Sequence, residues 1–317
     1  MALRSKRSLA GAEAAGAAAV AVPPKEAPGG KRSLAGWVYL LPSIAIFAIF
    51  VIYPFARTII TSFFATTPAG GLTQFIGLSN FITLFTDPLY TQAIANTLIY
   101  VVLTVPLTIV IALLLAVLTA QDLPGMGIFR TIFSATMGIS VAAAAVFWNL
   151  LFNANSGVLN RIIEFFGGEG VGWLIDQNFA LVSVSIISIW MNLGMAYLIL
   201  LGAIKSIDDS YYESVDIVGG GFWYRLRRVT VPLISPSLFF VLTVTLISAF
   251  QSFGLIDMLT QGGPNNATVL LIYRLYRDAF VNFRIGSASA QGVILFIVIF
   301  AISYIQNKLT ESKVTYQ

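Results

Sequence analysis

Long apolar segments alternate with short polar ones along the chain from residue 36 onward. A helix needs about 20 residues to cross the roughly 30 Å of hydrocarbon in a bilayer, so each long apolar segment is a candidate membrane span. The pattern predicts six transmembrane helices, at residues 36–63, 93–119, 128–152, 179–204, 237–259 and 287–306. We therefore expect an all-α polytopic membrane protein.

The composition supports this fold class. The 317 residues are 57% hydrophobic and only 10% charged, whereas about a quarter of the residues in a soluble domain are charged. The chain has no cysteine and no histidine, which excludes disulfides, thiolate nucleophiles, Cys/His zinc sites and histidine proton relays. The net charge of +4 comes from basic residues between the apolar segments, so it indicates membrane orientation and not a nucleic-acid-binding patch.

The positions of Lys and Arg predict the orientation in the membrane. With a cytoplasmic N-terminus, thirteen of the 18 basic residues fall on the cytoplasmic side, as the positive-inside rule requires. The other five are Arg57, Arg161, Arg274, Arg277 and Arg284. The last three make the third outer loop basic, against the rule. We expect both termini to be cytoplasmic.

Three regions follow one another along the chain. Residues 1–35 are rich in Ala, Gly and Pro and are predicted to form a disordered cytoplasmic tail. Residues 36–310 form the six-helix domain, and residues 311–317 form a cytoplasmic C-terminal tail. The outer connections near residues 64–92 and 153–178 are candidates for short interfacial helices, because SGVLNRIIEFFGG in the second has apolar residues at helical spacing.

The cytoplasmic loop at residues 205–236 begins with an acidic pattern. Asp209, Glu213 and Asp216 lie at i, i+4 and i+7, which places them on one stripe of a helix. Ser206 and Ser210 each precede an acidic residue by three positions and are candidate N-caps. Like charges at this spacing destabilise a helix, so we expect a basic group nearby to compensate.

A glycine run and a basic segment follow the acidic stripe. The glycines occupy residues 219–221, and Arg225, Arg227 and Arg228 come after them. Pro232 and Pro236 then open the fifth span, where proline is tolerated in the first turn of a helix. The order predicted is an acidic amphipathic helix, a glycine turn, a basic amphipathic helix and the membrane.

The glycine run lacks the residues of a phosphate-binding loop. A P-loop needs Lys and Ser or Thr directly after its last glycine, and here Phe222 and Trp223 follow Gly221. A dinucleotide-binding loop needs a preceding strand in a βαβ unit, and none is predicted. Two interpretations of the loop remain open, namely a solvated loop with chance amphipathicity and a helical hinge that a partner binds.

The loop resembles the EAA loop of permease subunits in ATP-binding-cassette (ABC) importers. That pattern is approximately E-A-A-x-x-D-G-A, followed at near-fixed spacing by F and then P-x-x-x-P. The matching residues are Glu213, Gly219, Pro232 and Pro236. The departures are Ser214 and Val215 for the two alanines, Val218 for the Asp, Gly220 for the last Ala and Leu226 for the Phe. The missing Asp bears on the strength or partner choice of docking.

Other segments are similar to carbohydrate-type importer permeases. LTQGGPNNAT at 259–268 and the LIYRLYRDAFVNFRIGSASAQGVILF that follows resemble the L-T-x-G-G-P and Y-x-x-A-F…G-x-A-S-A segments of that group. IGLSNF at 76–81 and NTLIYVVLTVPLTIVIALLLA from Asn96 resemble it too. The resemblance spans most of residues 36–310.

The resemblance implies a type I ABC importer permease in a bacterial or archaeal plasma membrane. Its implied partners are a second permease subunit of a different sequence, two cytoplasmic ABC ATPases and an extracytoplasmic substrate-binding lipoprotein. ATP and Mg²⁺ would be bound by the ATPases, so no cofactor, metal or catalytic residue is expected in this chain. The residues expected to couple it to the ATPases are Glu213, Gly219, Tyr212, Val215, Asp216 and Arg225.

Polar residues within the spans are candidates for the substrate pathway, because such groups are costly in hydrocarbon and usually face the bundle interior. They are Asn192, Gln251, Trp190, Ser252, Asp257 and Asn149. The alternative role for them is hydrogen bonding between helices. Gly262, Gly263 and Pro264 are candidates for contact with the binding protein, or they simply end a helix.

Other classes of membrane protein fit the sequence less well. An ion-coupled secondary carrier usually has ionisable or broken-helix sites at mid-membrane, and the predicted spans are almost free of charge. An integral-membrane enzyme would need a nucleophile with a base, or a cluster of metal ligands, and neither pattern occurs. The cargo class stays open among sugars, oligosaccharides, polyols and glycerol-phosphate compounds.

Overall fold

The computed structural model describes residues 34–121 and 123–311, and most of that part is helical. The helices are α1 (Leu34–Phe47), α2 (Tyr53–Thr61), α3 (Ser79–Thr86), α4 (Pro88–Thr119), α5 (Met126–Ser134), α6 (Val141–Leu151), α7 (Val158–Phe165), α8 (Ala180–Lys205), α9 (Asp209–Ile217), α10 (Phe222–Arg225), α11 (Val231–Leu233), α12 (Ser235–Phe250), α13 (Gly254–Leu259), α14 (Leu271–Tyr276) and α15 (Ile285–Glu311). Short π- or 3₁₀-helical segments connect some of them, at Ala48–Ile52, Ala135–Gly138, Leu226–Thr230 and Arg277–Val281. The tails predicted at 1–35 and 311–317 lie outside the described residues, except for their innermost positions in α1 and α15.

Contacts between Cα atoms divide the chain into two units, Met1–Phe55 and Ala56–Gln317. The described part of the first unit is α1, the π-helical segment after it and the start of α2. Every contact and site considered below belongs to the second unit.

In the part of the chain that the structure describes, four helical segments are long and apolar enough to cross a membrane: Tyr39–Thr61, Pro88–Thr119, Ala180–Lys205 and Ile285–Lys308. They coincide with the first, second, fourth and sixth predicted spans. Two pairs of helical segments are also long and apolar enough when taken together, although each pair is bent at a short break. They are Met126–Gly138 with Val141–Leu151, and Phe222–Leu233 with Ser235–Phe250. If each pair is one span, the total is six, although the second pair begins within the predicted loop at 205–236.

The third span is not the continuous helix that was predicted at 128–152. Its two halves meet at 109°, because Ile139 and Ser140 take extended backbone conformations. The Ser140 hydroxyl then accepts a hydrogen bond of 3.2 Å from the Ala143 N–H and caps α6. Hydropathy did not predict this break, since SATMGISVAAAAVF is apolar or small on both sides of it.

The fifth span also differs from the prediction at 237–259. Helix α12 ends at Phe250, and α13 is a separate helix. One hydrogen bond lies within the interruption, where the Phe253 N–H donates to the Gln251 carbonyl at 2.8 Å. The other joins it to a distant helix, since the Ser252 hydroxyl lies 2.8 Å from the Tyr100 hydroxyl of α4. The polar residues Gln251 and Ser252 therefore mark the break. The prediction from hydropathy missed it because the residues on both sides are apolar.

Helices α4 and α8 form the centre of the second unit, and small residues let them approach closely. Ala112, Ala116 and Ala196 are buried in their shared core. The hydroxyls of Thr119 and Tyr197 lie 2.7 Å apart near the cytoplasmic ends predicted for both helices. The pair provides a rigid base for the loop at 205–236.

Gly194 of α8 lies directly against the break in the third span. Its backbone N–H donates to Thr136 Oγ1 at 3.0 Å, which pins the 3₁₀ segment onto α8. A Cβ at this position would lie 2.5 Å from Thr136 Oγ1 and 2.8 Å from the Met137 nitrogen. The bend therefore depends on glycine at this contact.

We expect Gly194→Ala to lower the free energy of unfolding by about 1–3 kcal/mol, the usual cost of overpacking. Thermal unfolding of the purified protein in detergent measures the change. Gly202→Ala is the matched control, because it lies on the same helix and its added Cβ has no atom within 4 Å. Equal stability of the two variants would contradict the contact.

The connection between the first two spans contains a hairpin that the all-helical prediction omitted. Strands β1 (Phe64–Thr66) and β2 (Leu72–Phe75) pair antiparallel, with Phe64 opposite Phe75. The Asn80 amide donates to the Ser62 and Phe64 carbonyls at 2.9 and 3.1 Å. This hairpin precedes α3, one of the two short helices predicted in the outer connections.

The second predicted short helix, α7, is present and carries an organising side chain. Asn160 is buried, and its amide donates to the Ala154 and Val171 carbonyls at 2.9 Å. Its Oδ1 accepts hydrogen bonds from the Val171 N–H at 3.0 Å and from Trp173 Nε1 at 2.8 Å. One asparagine thus holds the two sides of the connection at 153–178 together.

Candidate functional site

The loop at 205–236 begins with α9, whose N-cap is Asp208. The Asp208 carboxylate accepts from the Ser210 N–H at 2.8 Å. Hydrogen bonds from the Ser210 side chain and then its backbone lower the pKa of this carboxyl. The candidate caps Ser206 and Ser210 were wrong, because an adjacent aspartate in an extended conformation occupies the cap position.

Glycines 219–221 form the predicted turn, and each has a different role. Gly219 has φ +70°, a left-handed conformation that glycine adopts without steric cost. The Gly220 N–H donates to the Val215 carbonyl at 2.9 Å, which closes the end of α9. Gly221 is the extended residue before α10. Of the three glycines, only Gly219 therefore has the left-handed backbone conformation that favours glycine.

The basic helix after the turn packs back against α9. Arg225 forms an ion pair with Asp216, and the Tyr212 and Thr230 hydroxyls lie 3.2 Å apart. Val215 of α9 is buried, as are Leu226 and Val229 of the helical segment after the turn. The predicted basic compensation of the acidic stripe is confirmed for Asp216.

The outward surface of the loop combines one acid with exposed apolar side chains. Glu213 is exposed and makes no hydrogen bond or ion pair with the residues that the structure describes. Ile217 is 87% exposed, Val218 72% and Trp223 62%, although none of the three lies in a predicted span. Arg227 covers the Trp223 ring at 5.8 Å from its centroid. We call Glu213, Ile217, Val218 and Trp223 the coupling surface, after the coupling role that the sequence predicts for this loop.

A cavity of about 360 Å³ lies on the inner side of the loop. Its walls come from the ends of α4 and α8 and from both loop helices, and they include Ala120, Ile204, Tyr212 and Leu226. A cavity thus separates part of the loop from the ends of the two central helices, α4 and α8.

The six candidates for the substrate pathway occupy several different places. Asn192 donates to the Ser188 carbonyl one turn earlier at 2.8 Å, and Ser252 bonds to Tyr100 as described above. Trp190 contacts Phe147 and Trp148, with ring centroids 6.0 and 5.7 Å apart. Asp257 is half-buried in α13.

Two of the six line open clefts. Gln251 lies at an aromatic cleft of about 540 Å³ with Phe253, Tyr276 and Phe280. Asn149 lies at a different cleft of about 520 Å³, together with Gly263 and Pro264. The structure therefore unites one pathway candidate with two of the candidates for contact with the binding protein.

The segment around Gly262–Pro264 is an ordered loop docked on α4. The Asn96 amide donates to the Asn266 and Val269 carbonyls at 3.0 and 3.2 Å, and Thr97 Oγ1 accepts from the Leu271 N–H at 2.9 Å. Asn96 and Thr97 were not among the candidate residues. Polar side chains early in an apolar span were the available indication.

The basic segment that was predicted as the third outer loop contains a buried ionic network. Arg274 Nη2 lies 2.9 Å from Asp87 Oδ2, and its Nε lies 3.4 Å from Asp278 Oδ2. Asp278, which is only 1% exposed, also accepts from Gln291 at 2.6 Å and from Asn282 at 2.8 Å. Arg274, which made this loop an exception to the charge rule, is therefore neutralised inside the protein.

Comparison with known proteins identifies the family. Residues 91–316, well over half of the chain, match the family described as "Binding-protein-dependent transport system inner membrane component". This chain belongs to that family. The membrane location expected from the sequence is confirmed, and the matched residues include the coupling surface and all the pathway candidates.

Curated relatives cover almost the whole permease. It is 36% identical to the sn-glycerol-3-phosphate transport system permease protein UgpA of Yersinia enterocolitica, over 92% of this chain and 98% of the relative. It is 34% identical to the protein of the same name from Escherichia coli, over 88% and 95% of the two chains.

Solved structures confirm the ABC importer permease fold. A bacterial ABC transporter involved in the import of the acidic polysaccharide alginate matches with a TM-score of 0.78 and 24% identity, over 90% of this permease and 98% of that chain. A bacterial alginate ABC transporter in complex with an alginate pentasaccharide-bound periplasmic protein matches over the same shares, with a TM-score of 0.76.

Proposed function

We propose that this permease forms half of the translocation pathway of an ATP-driven importer for a sugar or sugar-like solute. It contains no catalytic residue in this proposal. Two cytoplasmic ABC ATPases bind ATP and Mg²⁺, and a second permease of different sequence completes the pathway. The coupling surface is the observation that carries the proposal, because a carboxylate and large apolar side chains exposed outside the spans are typical of a binding site for another protein.

In this proposal the ATPases bind the coupling surface, with Glu213 at its centre. Val218 extends the apolar part of that surface, where the related loops have an aspartate. Affinity at this position then comes from burial of an apolar side chain and not from a charge.

Movement of α9 is passed to the membrane through its contacts with the helix that follows. The Arg225–Asp216 ion pair and the Tyr212–Thr230 hydrogen bond make α9 and that helix move as one body. Gly219 gives the turn the geometry that these contacts need, and Val215 fills the space between the two helices. The helix continues to α12 through a bend of 75°, so a pull on α9 acts as a lever on the fifth span.

The opposite side of the permease receives the solute. The orientation we propose places both termini and the coupling loop in the cytoplasm and Gly262–Pro264 outside, where an extracytoplasmic lipoprotein delivers its cargo. Asn149, Gln251 and Trp190 are proposed to contact the solute along the path. Asn192 and Ser252 hydrogen-bond within or between helices, and Asp257 faces the outer end of the path.

The relatives support the class of solute. Their names specify sn-glycerol-3-phosphate for the UgpA proteins and alginate for the transporter of known structure. Both are polyhydroxylated compounds, which is the class we propose here.

We expect Glu213→Ala to lower uptake and receptor-stimulated ATP hydrolysis about tenfold, because loss of a central interface contact costs more than ~1 kcal/mol. The measurement uses the purified permease complex in liposomes. Its receptor, the substrate-binding protein, is either enclosed in the liposomes or added outside them. Glu164→Ala is the matched control, because Glu164 is an exposed glutamate on α7.

Two results would contradict the proposal. One is full coupling in the Glu213→Ala complex. The other is uptake that stops with a protonophore but continues without ATP, which would indicate an ion-coupled carrier instead.

A further inference from the structure

The cleft at Asn149 has the size and lining of a small-ligand site. Its volume is about 520 Å³, within the range of known ligand sites. The lining residues are Asn149, Phe152, Asn153, Ala154, Asn155, Leu174, Ile175, Leu259, Thr260, Gly263 and Pro264. All of them are uncharged, and the polar ones are amides and a hydroxyl.

Two of the three asparagines have amides that are available to a ligand. Within the described residues, the side chains of Asn149 and Asn155 make no hydrogen bond, and both are exposed at the cleft. The third, Asn153, uses Oδ1 to accept from the backbone of Asn155 and Ser156 at 3.0 Å. Those two bonds fix the turn, and Asn153 is itself one of the residues that line the cleft.

The other walls are rigid and partly aromatic. Phe152 is 2% exposed and stacks on Trp173 with centroids 5.1 Å apart. Trp173 is fixed in turn by its hydrogen bond to Asn160. Across the cleft, Thr268 Oγ1 donates to the Gly263 carbonyl at 2.7 Å and holds the Gly263–Pro264 turn. A preformed cleft of this kind costs little to order when a ligand binds.

We infer that this cleft is a receiving site for a neutral, polyhydroxylated ligand, held by Asn149 and Asn155, as the solute leaves the binding protein. Each amide both donates and accepts hydrogen bonds, which suits sugar hydroxyls. A phosphate or carboxylate loses its hydration on entering, and here it would meet no cationic side chain among the lining residues. The inference rests on the proposed function and narrows it: the cleft selects an uncharged sugar, unlike the sn-glycerol-3-phosphate for which the UgpA relatives are named and the acidic polysaccharide alginate named for the solved transporter.

The test uses the assembled transporter in nanodiscs without its receptor and follows the fluorescence of Trp173, which stacks on the cleft residue Phe152. The probes are glucose, maltose, trehalose and glycerol, compared with sn-glycerol-3-phosphate at equal ionic strength. We expect at least one neutral probe to change the fluorescence saturably, and sn-glycerol-3-phosphate to bind at least about tenfold more weakly.

The double variant Asn149→Ala/Asn155→Ala is expected to bind the neutral probe about tenfold more weakly, since two hydrogen bonds are lost. Asn178→Ala is the matched control, because Asn178 is exposed on the same outer connection but does not line the cleft. Elution of both variants as intact complexes by size exclusion excludes misfolding as the cause.

Three results would overturn the inference: no saturable response to any neutral probe, equal or tighter binding of sn-glycerol-3-phosphate, or unchanged binding in the double variant. Receptor-stimulated ATP hydrolysis is measured on the same samples. Its absence in the unaltered complex would count against the proposed function, whatever the cleft binds, so the two failures are distinguishable.

Discussion

Arg274→Met is expected to lower the free energy of unfolding by about 3–5 kcal/mol, the usual cost of removing one partner from a buried ion pair. Arg274 is the cation that contacts both Asp87, at 2.9 Å, and the buried Asp278, at 3.4 Å. Without it, Asp278 keeps its hydrogen bonds from Gln291 and Asn282 but loses its opposite charge. Thermal unfolding of the permease in detergent measures the loss.

The control for this variant is Arg284→Met, an exposed arginine of the same outer loop. It is expected to change stability by less than about 0.5 kcal/mol, as surface substitutions usually do. Combining Arg274→Met with Asp278→Asn removes the uncompensated charge and is expected to recover part of the loss. A double variant no more stable than Arg274→Met alone would contradict the assigned network.

Gly220→Ala is expected to lower the free energy of unfolding by about 1–3 kcal/mol and to disrupt the coupling loop. The reason is that a neighbouring side chain already fills the space where the new Cβ would lie. A Cβ built at Gly220 overlaps Val215 Cγ1 and lies 3.0 Å from Tyr224 Cδ1. Displacing Val215 moves α9 relative to the helix after the turn, so we expect receptor-stimulated ATP hydrolysis to fall together with stability.

The same contact predicts a rescue. The EAA pattern has alanine at both positions, whereas this permease has Val215 and Gly220. Val215 on α9 is larger than alanine, and Gly220 in the turn has no side chain, so the two differences compensate each other in volume. Val215→Ala combined with Gly220→Ala is expected to restore stability and coupling close to those of the unaltered protein.

Gly221→Ala is the control for a general effect of alanine in the turn. Its φ is −74°, and its added Cβ has no atom within 4 Å, so little change is expected. If Gly220→Ala and Gly221→Ala behaved alike, or if the double variant were no better than Gly220→Ala, the Val215–Gly220 pairing would be wrong.

The coupling loop was largely predictable because its structure is local. The spacing of Asp209, Glu213 and Asp216 predicted α9, and the basic residues predicted the compensation that Arg225 supplies to Asp216. These residues, from Asp209 to Arg225, are close together in sequence. The cap prediction was wrong because Asp208, which is also a favourable N-cap residue, takes the cap position and accepts from the Ser210 N–H.

The candidate pathway residues were predictable only as a set. Residue type identified Asn149 and Gln251 as polar positions inside spans, but their separation into two clefts depends on the breaks at 139–140 and 251–253. The outer cleft also needs Asn153 and Asn155 from the adjacent connection. Sequence reasoning did not connect these with Asn149, because nothing in the local pattern indicates which way a loop folds back.

The sequence by itself determined which segments are apolar enough to be candidate spans and where the acidic stripe of α9 lies, since hydrophobicity and helical periodicity are local properties of the chain. It also determined the loop that carries the coupling surface. Only the tertiary structure decided where the spans bend and at which glycine a neighbouring side chain occupies the space of a Cβ. It also decided how Arg274 contacts Asp87, which is 187 residues away along the chain. Those features depend on close packing between distant segments, whose shapes become complementary only once the chain has folded.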